Sequence, residues 1–70
     1  MTVPHVTSLH DDLRTQRIAL GMSQSKLAEV AGVSRPTIAR LERGQDVSLS
    51  NLNRISDALG MNLALLPKHQ

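Results

Sequence analysis

The 70-residue chain contains no cysteine and no phenylalanine, tyrosine or tryptophan. Without cysteine there is neither a disulfide framework nor a thiolate metal site, and a reducing cytoplasm is the compartment that fits. Without aromatic rings there is no platform for the splayed bases of single strands or RNA loops. If nucleic acid is the ligand, duplex DNA is therefore favoured. Long apolar runs are missing too: the longest, Leu63-Ala64-Leu65-Leu66, falls far short of a membrane span. The start Met1-Thr2-Val3-Pro4-His5 lacks the basic and apolar regions of a signal peptide. The expectation is a soluble, cytoplasmic protein with no membrane partner. No metal-ligand set, nucleophile–base pair or phosphate-cradling glycine loop is visible, which argues against an enzyme and against a cofactor. His5 and His10 lie five apart, a poor spacing for one helical face, and no carboxylate–histidine constellation accompanies them, so they read as surface residues rather than metal ligands. Asp11 and Asp12 are adjacent and point in different directions, which suits a helix start better than acid–base work.

An apolar content of 40% suffices for one compact domain, although so short a chain buries proportionally little surface. The formal charge of +2 says little by itself, but Arg35, Arg40 and Arg43 cluster. A repeating punctuation, in which Ser opens a segment, apolar residues recur three or four apart and Gly closes it, predicts an all-α fold. The first helix is expected over about Ser8 to Leu20, with Leu9, Leu13 and Leu20 inward. Ser23 caps a second, carrying Leu27, Ala28 and Ala31 inward to Gly32. Ser34 caps a third with Pro36 in its first turn, where a missing N–H is harmless, and Ile38 and Leu41 inward before Gly44. Ser48 caps a fourth, striped by Leu49, Leu52, Ile55 and Leu59 before Gly60.

The last ten residues change period. Met61, Leu63 and Leu65 alternate with Asn62, Ala64 and Leu66, the pattern of a strand. A lone strand cannot satisfy its own backbone, so the expectation is pairing of Met61, Leu63 and Leu65 with a second copy across a two-fold axis, giving a homodimer. The alternative is a tail whose leucines cover the base of the fourth helix. The expected organisation is thus an N-terminal arm (1–7), a helical domain (8–60) and a C-terminal dimerisation strand and tail (61–70).

From Gln24 to Arg43 each position has a geometric reason. Ala28 is small where two short helices must cross closely, Gly32 supplies a left-handed turn, and Leu27, Ala31, Val33, Ile38 and Leu41 form one apolar seam. With Ile38 and Leu41 inward, Pro36, Ala39, Arg40 and Arg43 face away and Arg35 stands at the tip. A groove arginine can bond guanine O6 and N7 together, and Pro36 and the Thr37 methyl suit a thymine methyl. The bland reading is a solvated face kept for solubility. Lys26 and Glu29 read as a solvated helix pair, with Lys26 near enough to the same end to reach a phosphate. Arg17 falls on the stripe of Leu13 and Leu20, where a charge needs a partner, and Glu42 is the candidate; otherwise Arg17 snorkels and Glu42 is merely solvated.

These segments, Arg17-Ile18-Ala19-Leu20-Gly21-Met22-Ser23-Gln24 through Leu41-Glu42-Arg43-Gly44 and on to Ser48-Leu49, Ile55 and Ala58-Leu59-Gly60, resemble the phage-repressor (XRE, Cro-like) helix-turn-helix family over residues 9–60. The resemblance implies a lambda-repressor-like bundle of four, or five, helices, the third reading the major groove and the second lying across the backbone. It implies that Gln24, Arg35, Pro36, Thr37 and Arg40 contact bases. It implies that Arg17, Ser23, Lys26, Ser34 and Arg43 contact phosphates, with an Arg17–Glu42 pair tying the first helix to the third. The function so implied is a sequence-specific transcriptional regulator, a repressor, acting as a homodimer on an inverted repeat in double-stranded DNA. The tail after Gly60 is similar to that of HipB-type antitoxins, whose C-terminal strands pair between subunits. That likeness implies an alternative: an antitoxin that holds a toxin protein, a HipA-like kinase, and represses its own operon.

Overall fold

The computed structural model describes residues 8–65 and residue 67, which form four α-helices: α1 (Leu9–Ala19), α2 (Gln24–Ala31), α3 (Arg35–Glu42) and α4 (Leu49–Ala58). Each follows the serine the sequence marks. The side chains of Ser23, Ser34 and Ser48 accept from the backbone N–H of Lys26, Thr37 and Asn51, satisfying an amide that the first turn leaves without an internal acceptor. Ser8 differs: it precedes α1 in extended conformation but makes no cap bond, because its hydroxyl donates to Asp11 Oδ2 at 2.8 Å.

The four helices end alike. An amide just past the helix, the second residue after α2 and the third after the other three, bonds back to the carbonyl five positions earlier: Met22 to Arg17, Val33 to Ala28, Gln45 to Arg40 and Met61 to Ser56. This closure needs a left-handed residue between, and Gly32 (φ 73°) supplies it at the turn joining α2 to α3. Gly44 (φ 82°) does so after α3, where space is also tight: an added Cβ would lie 3.2 Å from the His10 ring.

Leu13 from α1, Leu27 and Ala28 from α2, Ile38 and Leu41 from α3, and Ile55 and Leu59 from α4 and its cap make up the core. Met22, Ala31, Val33, Val47, Leu52, Ala58 and Met61 pack around it. Helix α2 lies against both α3 and α4, and α1 against α3. The sequence expectation fails at the ends of α1 and at the start of α4. Leu9, Leu20 and Leu49, expected inward, are exposed. Leu9 and Leu49 open their helices at one end of the bundle, where with Leu52, Asn53, Leu63, Ala64 and Leu65 they line an apolar groove of about 490 Å³. Leu20 is the cap residue of α1, past the last residue in helical phase. A converse surprise is Ser56, a buried polar residue on α4 whose hydroxyl has no hydrogen-bond partner among the described residues.

Beyond Gly60 the alternation survives as burial: Met61 and Leu63 are half-buried and Asn62 and Ala64 exposed, while Leu65 is fully exposed. Residues 61–65 carry no regular secondary structure, and there is no strand among the described residues. The expected arm over residues 1–7 and the alternating position Leu66 lie outside the described residues. No helix among the described residues is long and apolar enough to cross a membrane.

Candidate nucleic-acid interface

The face of α3 follows from its three buried residues. Thr37, Ile38 and Leu41 are all buried, and at about 100° per residue they occupy one side of the helix. The opposite side then carries Pro36 and Arg43, flanked by Arg35 and Arg40. All four are exposed, and the three arginines make no side-chain hydrogen bond or ion pair with any described residue. By helical rise Arg35 and Arg40 stand about 7.5 Å apart along the axis. The result is an exposed ridge with uncommitted guanidinium groups, each offering five donors and no acceptor.

Thr37 departs from the expectation that it faces outward. It is 6% exposed, and its Oγ1 is paired with Ser34 Oγ at 2.8 Å. Lying one turn before Leu41, it falls on the buried side, so its methyl belongs to the interior and its hydroxyl to the cap. Ala39 is likewise half-buried rather than fully outward. Ser34 is exposed, although its Oγ is engaged by Thr37 N–H and hydroxyl. At the start of α2, Ser23 is exposed as the cap, and Lys26 pairs with Glu29 at 3.1 Å with both side chains in solvent, the solvated pair expected from their spacing.

Arg17 and Glu42 do meet. Arg17 Nε and Nη2 donate to Glu42 Oε2 and Oε1 at 2.6 and 2.9 Å, and Nη1 donates to the Met22 carbonyl at 2.7 Å. The pair is largely covered, with side-chain exposures of 11% and 5%. Gln24 Nε2 adds a third donor to the carboxylate at 3.1 Å, so this candidate base reader is also tied into the interior. Burial alone pushes the Glu42 carboxyl up, but hydrogen bonds from Arg17 and Gln24 and the charges of Arg17 and Arg14 outweigh it and leave the carboxyl below its ordinary value. The hydrogen bond to Glu42, opposed by burial, raises Arg17. One carboxylate at the end of α3 therefore locks α1, α2 and α3 at fixed mutual positions.

Besides the bond from Gln24 to Glu42, three longer-range or weaker contacts went unread in the sequence. Arg14 Nε lies 3.9 Å from Glu42 Oε1, Gln16 Nε2 donates to the Leu59 carbonyl at 3.2 Å, and Arg54 Nη1 reaches the Gly32 carbonyl at 3.5 Å. Arg14 had a signal, being one turn from Arg17 on the same flank of α1. The other two join residues far apart in the chain and had none.

The sequence model of the helix-turn-helix family matches residues 13–66. An uncharacterized HTH-type transcriptional regulator of Haemophilus influenzae is 39% identical over 61 residues, which are 86% of this chain and 62% of that relative. The chain thus spans about three fifths of the relative's length. The crystal structure of the restriction-modification controller protein C.AhdI from Aeromonas hydrophila superposes with a TM-score of 0.71 at 39% identity, over 76% of this chain and 82% of that one. A chain of the HipA-HipB-O2-O3 complex superposes with a TM-score of 0.79 at 24% identity, over 96% of this chain and 100% of that one. This last likeness is one of fold, and its coverage carries it past Gly60 into the tail.

Proposed function

The chain belongs to the helix-turn-helix family, and from that premise we propose that it is a transcriptional regulator, a repressor, that binds double-stranded DNA as a homodimer on an inverted repeat. The observation that carries the reading is the outer ridge of α3, where Arg35, Arg40 and Arg43 have no partner among the described residues. A solvated face kept for solubility does not require a buried floor and a locked neighbour. A helix laid into a groove requires both.

In this reading Arg35 and Arg40 each take a guanine edge, worth about 1–3 kcal/mol in discrimination. Pro36 offers apolar contact to a thymine methyl, and Gln24 reaches a base edge with its free carbonyl. Ser23, Lys26, Ser34 and Arg43 hold phosphates, and Arg17 orients the frame on which they stand. The two copies pair through their tails at Met61, Leu63 and Leu65. Leu9 and Leu49 become covered in the same act, since the groove they line is continuous with the tail. Half-site centres then lie about one helical turn, roughly 34 Å, apart. The domain is residues 8–60, the cytoplasm is the compartment, and the action is binding without catalysis.

The test is selection of bound duplexes from a random pool by the wild type, Arg35→Ala and Arg40→Ala. The wild type should recover a two-fold symmetric site with G·C pairs, and each substitution should relax preference at one position per half-site. Recovery of unselected sequence would refute the reading. An antitoxin that also holds a toxin is a second and compatible reading, favoured by the fold likeness that runs into the tail. Co-purification with the product of a neighbouring gene separates it from a regulator acting alone.

A further inference from the structure

We infer that Arg14, rather than Arg17, is the α1 residue that reaches a DNA phosphate, resting beside Glu42 in the free protein and transferring to the DNA backbone on binding. The inference rests on the DNA-binding reading and adds a residue to it.

The two arginines face one carboxylate on unequal terms. Arg17 takes both Glu42 oxygens at 2.6 and 2.9 Å and a backbone carbonyl besides, and it is 11% exposed. Arg14 approaches only Oε1, at 3.9 Å, beyond hydrogen-bond range. That oxygen already accepts from Arg17 Nη2 and Gln24 Nε2, which fills its two lone pairs. Arg14 is therefore held by charge alone, and its side chain is 57% exposed. Exposed ion pairs of this kind contribute little, so leaving Glu42 is easy, whereas extracting Arg17 would strand a buried carboxylate.

Local charge favours an added anion. Two guanidinium groups face the single carboxylate of Glu42, and the next residue, Arg43, is exposed with no partner among the described residues. The last turn of α3 is consequently cationic in net terms. Arg14 is the cation on α1 there whose donors remain open, and a phosphate accepts from an arginine fork in two places at once.

Replacing one phosphate contact changes the slope of log affinity against log salt by about 0.9 on B-DNA, so two copies change it by about 1.8. Between 50 and 200 mM salt, a slope difference of that size amounts to roughly a twelvefold smaller loss of affinity. The experiment measures binding of a labelled 30-base-pair duplex, recovered by the selection above, across that salt range for wild type, Arg14→Gln and Arg14→Lys, with thermal melting of each. The expected result for Arg14→Gln is an unchanged melting temperature, an unchanged selected sequence and a slope shallower by about 1.8, with most of the slope restored in Arg14→Lys. A wild-type slope in Arg14→Gln, or a lysine variant that behaves like the glutamine one, overturns the assignment while leaving DNA binding intact. A wild type that binds no duplex at all overturns the reading on which it rests.

Discussion

Arg17→Ala is the substitution whose consequence the structure specifies most closely. It deletes three hydrogen bonds at once and leaves Glu42, 5% exposed, facing only Gln24 at 3.1 Å and Arg14 at 3.9 Å. Removing one partner of a buried ion pair costs about 3–5 kcal/mol, because the surviving charge stays desolvated. Small domains have about 5–15 kcal/mol in total, and each kcal/mol moves the melting temperature of a 60–100-residue domain by roughly 4–8 °C. The expected fall is therefore at least about 12 °C by circular-dichroism melting at pH 7, with DNA binding weakened in parallel. The pH dependence is a second readout. In the wild type the Glu42 carboxyl sits below its ordinary value of 4.5, so its contribution is complete above that value and disappears as pH falls through the lower folded one. Without Arg17 its hydrogen bond and charge no longer oppose burial, so the carboxyl moves up and protonation relieves the variant. The gap between wild type and Arg17→Ala should narrow between pH 7 and pH 4. The double variant Arg17→Met with Glu42→Leu should recover much of the loss, since an apolar replacement strands no charge. A single variant melting within about 3 °C of wild type at pH 7, less than 1 kcal/mol, would refute the claim that this pair holds the helices together.

Other substitutions separate neighbouring ideas. Ser56→Ala should raise stability by about 1 kcal/mol or more in urea unfolding, because the buried hydroxyl has no hydrogen-bond partner among the described residues and Ala is the better helix former; destabilisation would mean that the hydroxyl is bonded. Ser34→Ala should cost about 1 kcal/mol as a lost cap, while Ser8→Ala, whose hydroxyl caps no amide, should cost a few tenths at most; equal losses would count against this distinction. Gly44→Ala and Gly32→Ala should each lose about 1–2 kcal/mol from left-handed strain. The extra loss in Gly44→Ala, from the His10 ring 3.2 Å away, should vanish in a His10→Ala background, and persistence of the excess there would show that the ring is not its cause.

The helices were legible because their signals are local. A serine whose hydroxyl reaches the amide three residues on, an apolar residue every third or fourth position and a glycine at a left-handed closure act within a single turn, so Ser23, Gly32, Ser34 and Gly44 could be placed without knowing the fold. The outward arginines followed at once, since fixing Ile38 and Leu41 inward fixes what lies opposite. The Arg17–Glu42 pair was legible for a different reason: a charge on an apolar stripe demands a partner.

Periodicity along one helix cannot say how far a neighbouring helix reaches, and that limit explains the departures. Thr37 is the exception: one turn before Leu41 it shares the buried phase of α3, and its hydroxyl is taken up by Ser34. Leu9 and Leu49 kept the phase of their stripes and remained exposed, because nothing among the described residues extends over the starts of α1 and α4. The sequence by itself determined where each helix starts, stops and turns its apolar side, since those choices are settled by neighbours within about one turn. Tertiary structure alone decided that the carboxylate paired with Arg17 should also collect Gln24 from α2 and Arg14 from α1, because such a meeting depends on interhelical distances that no spacing along the chain encodes.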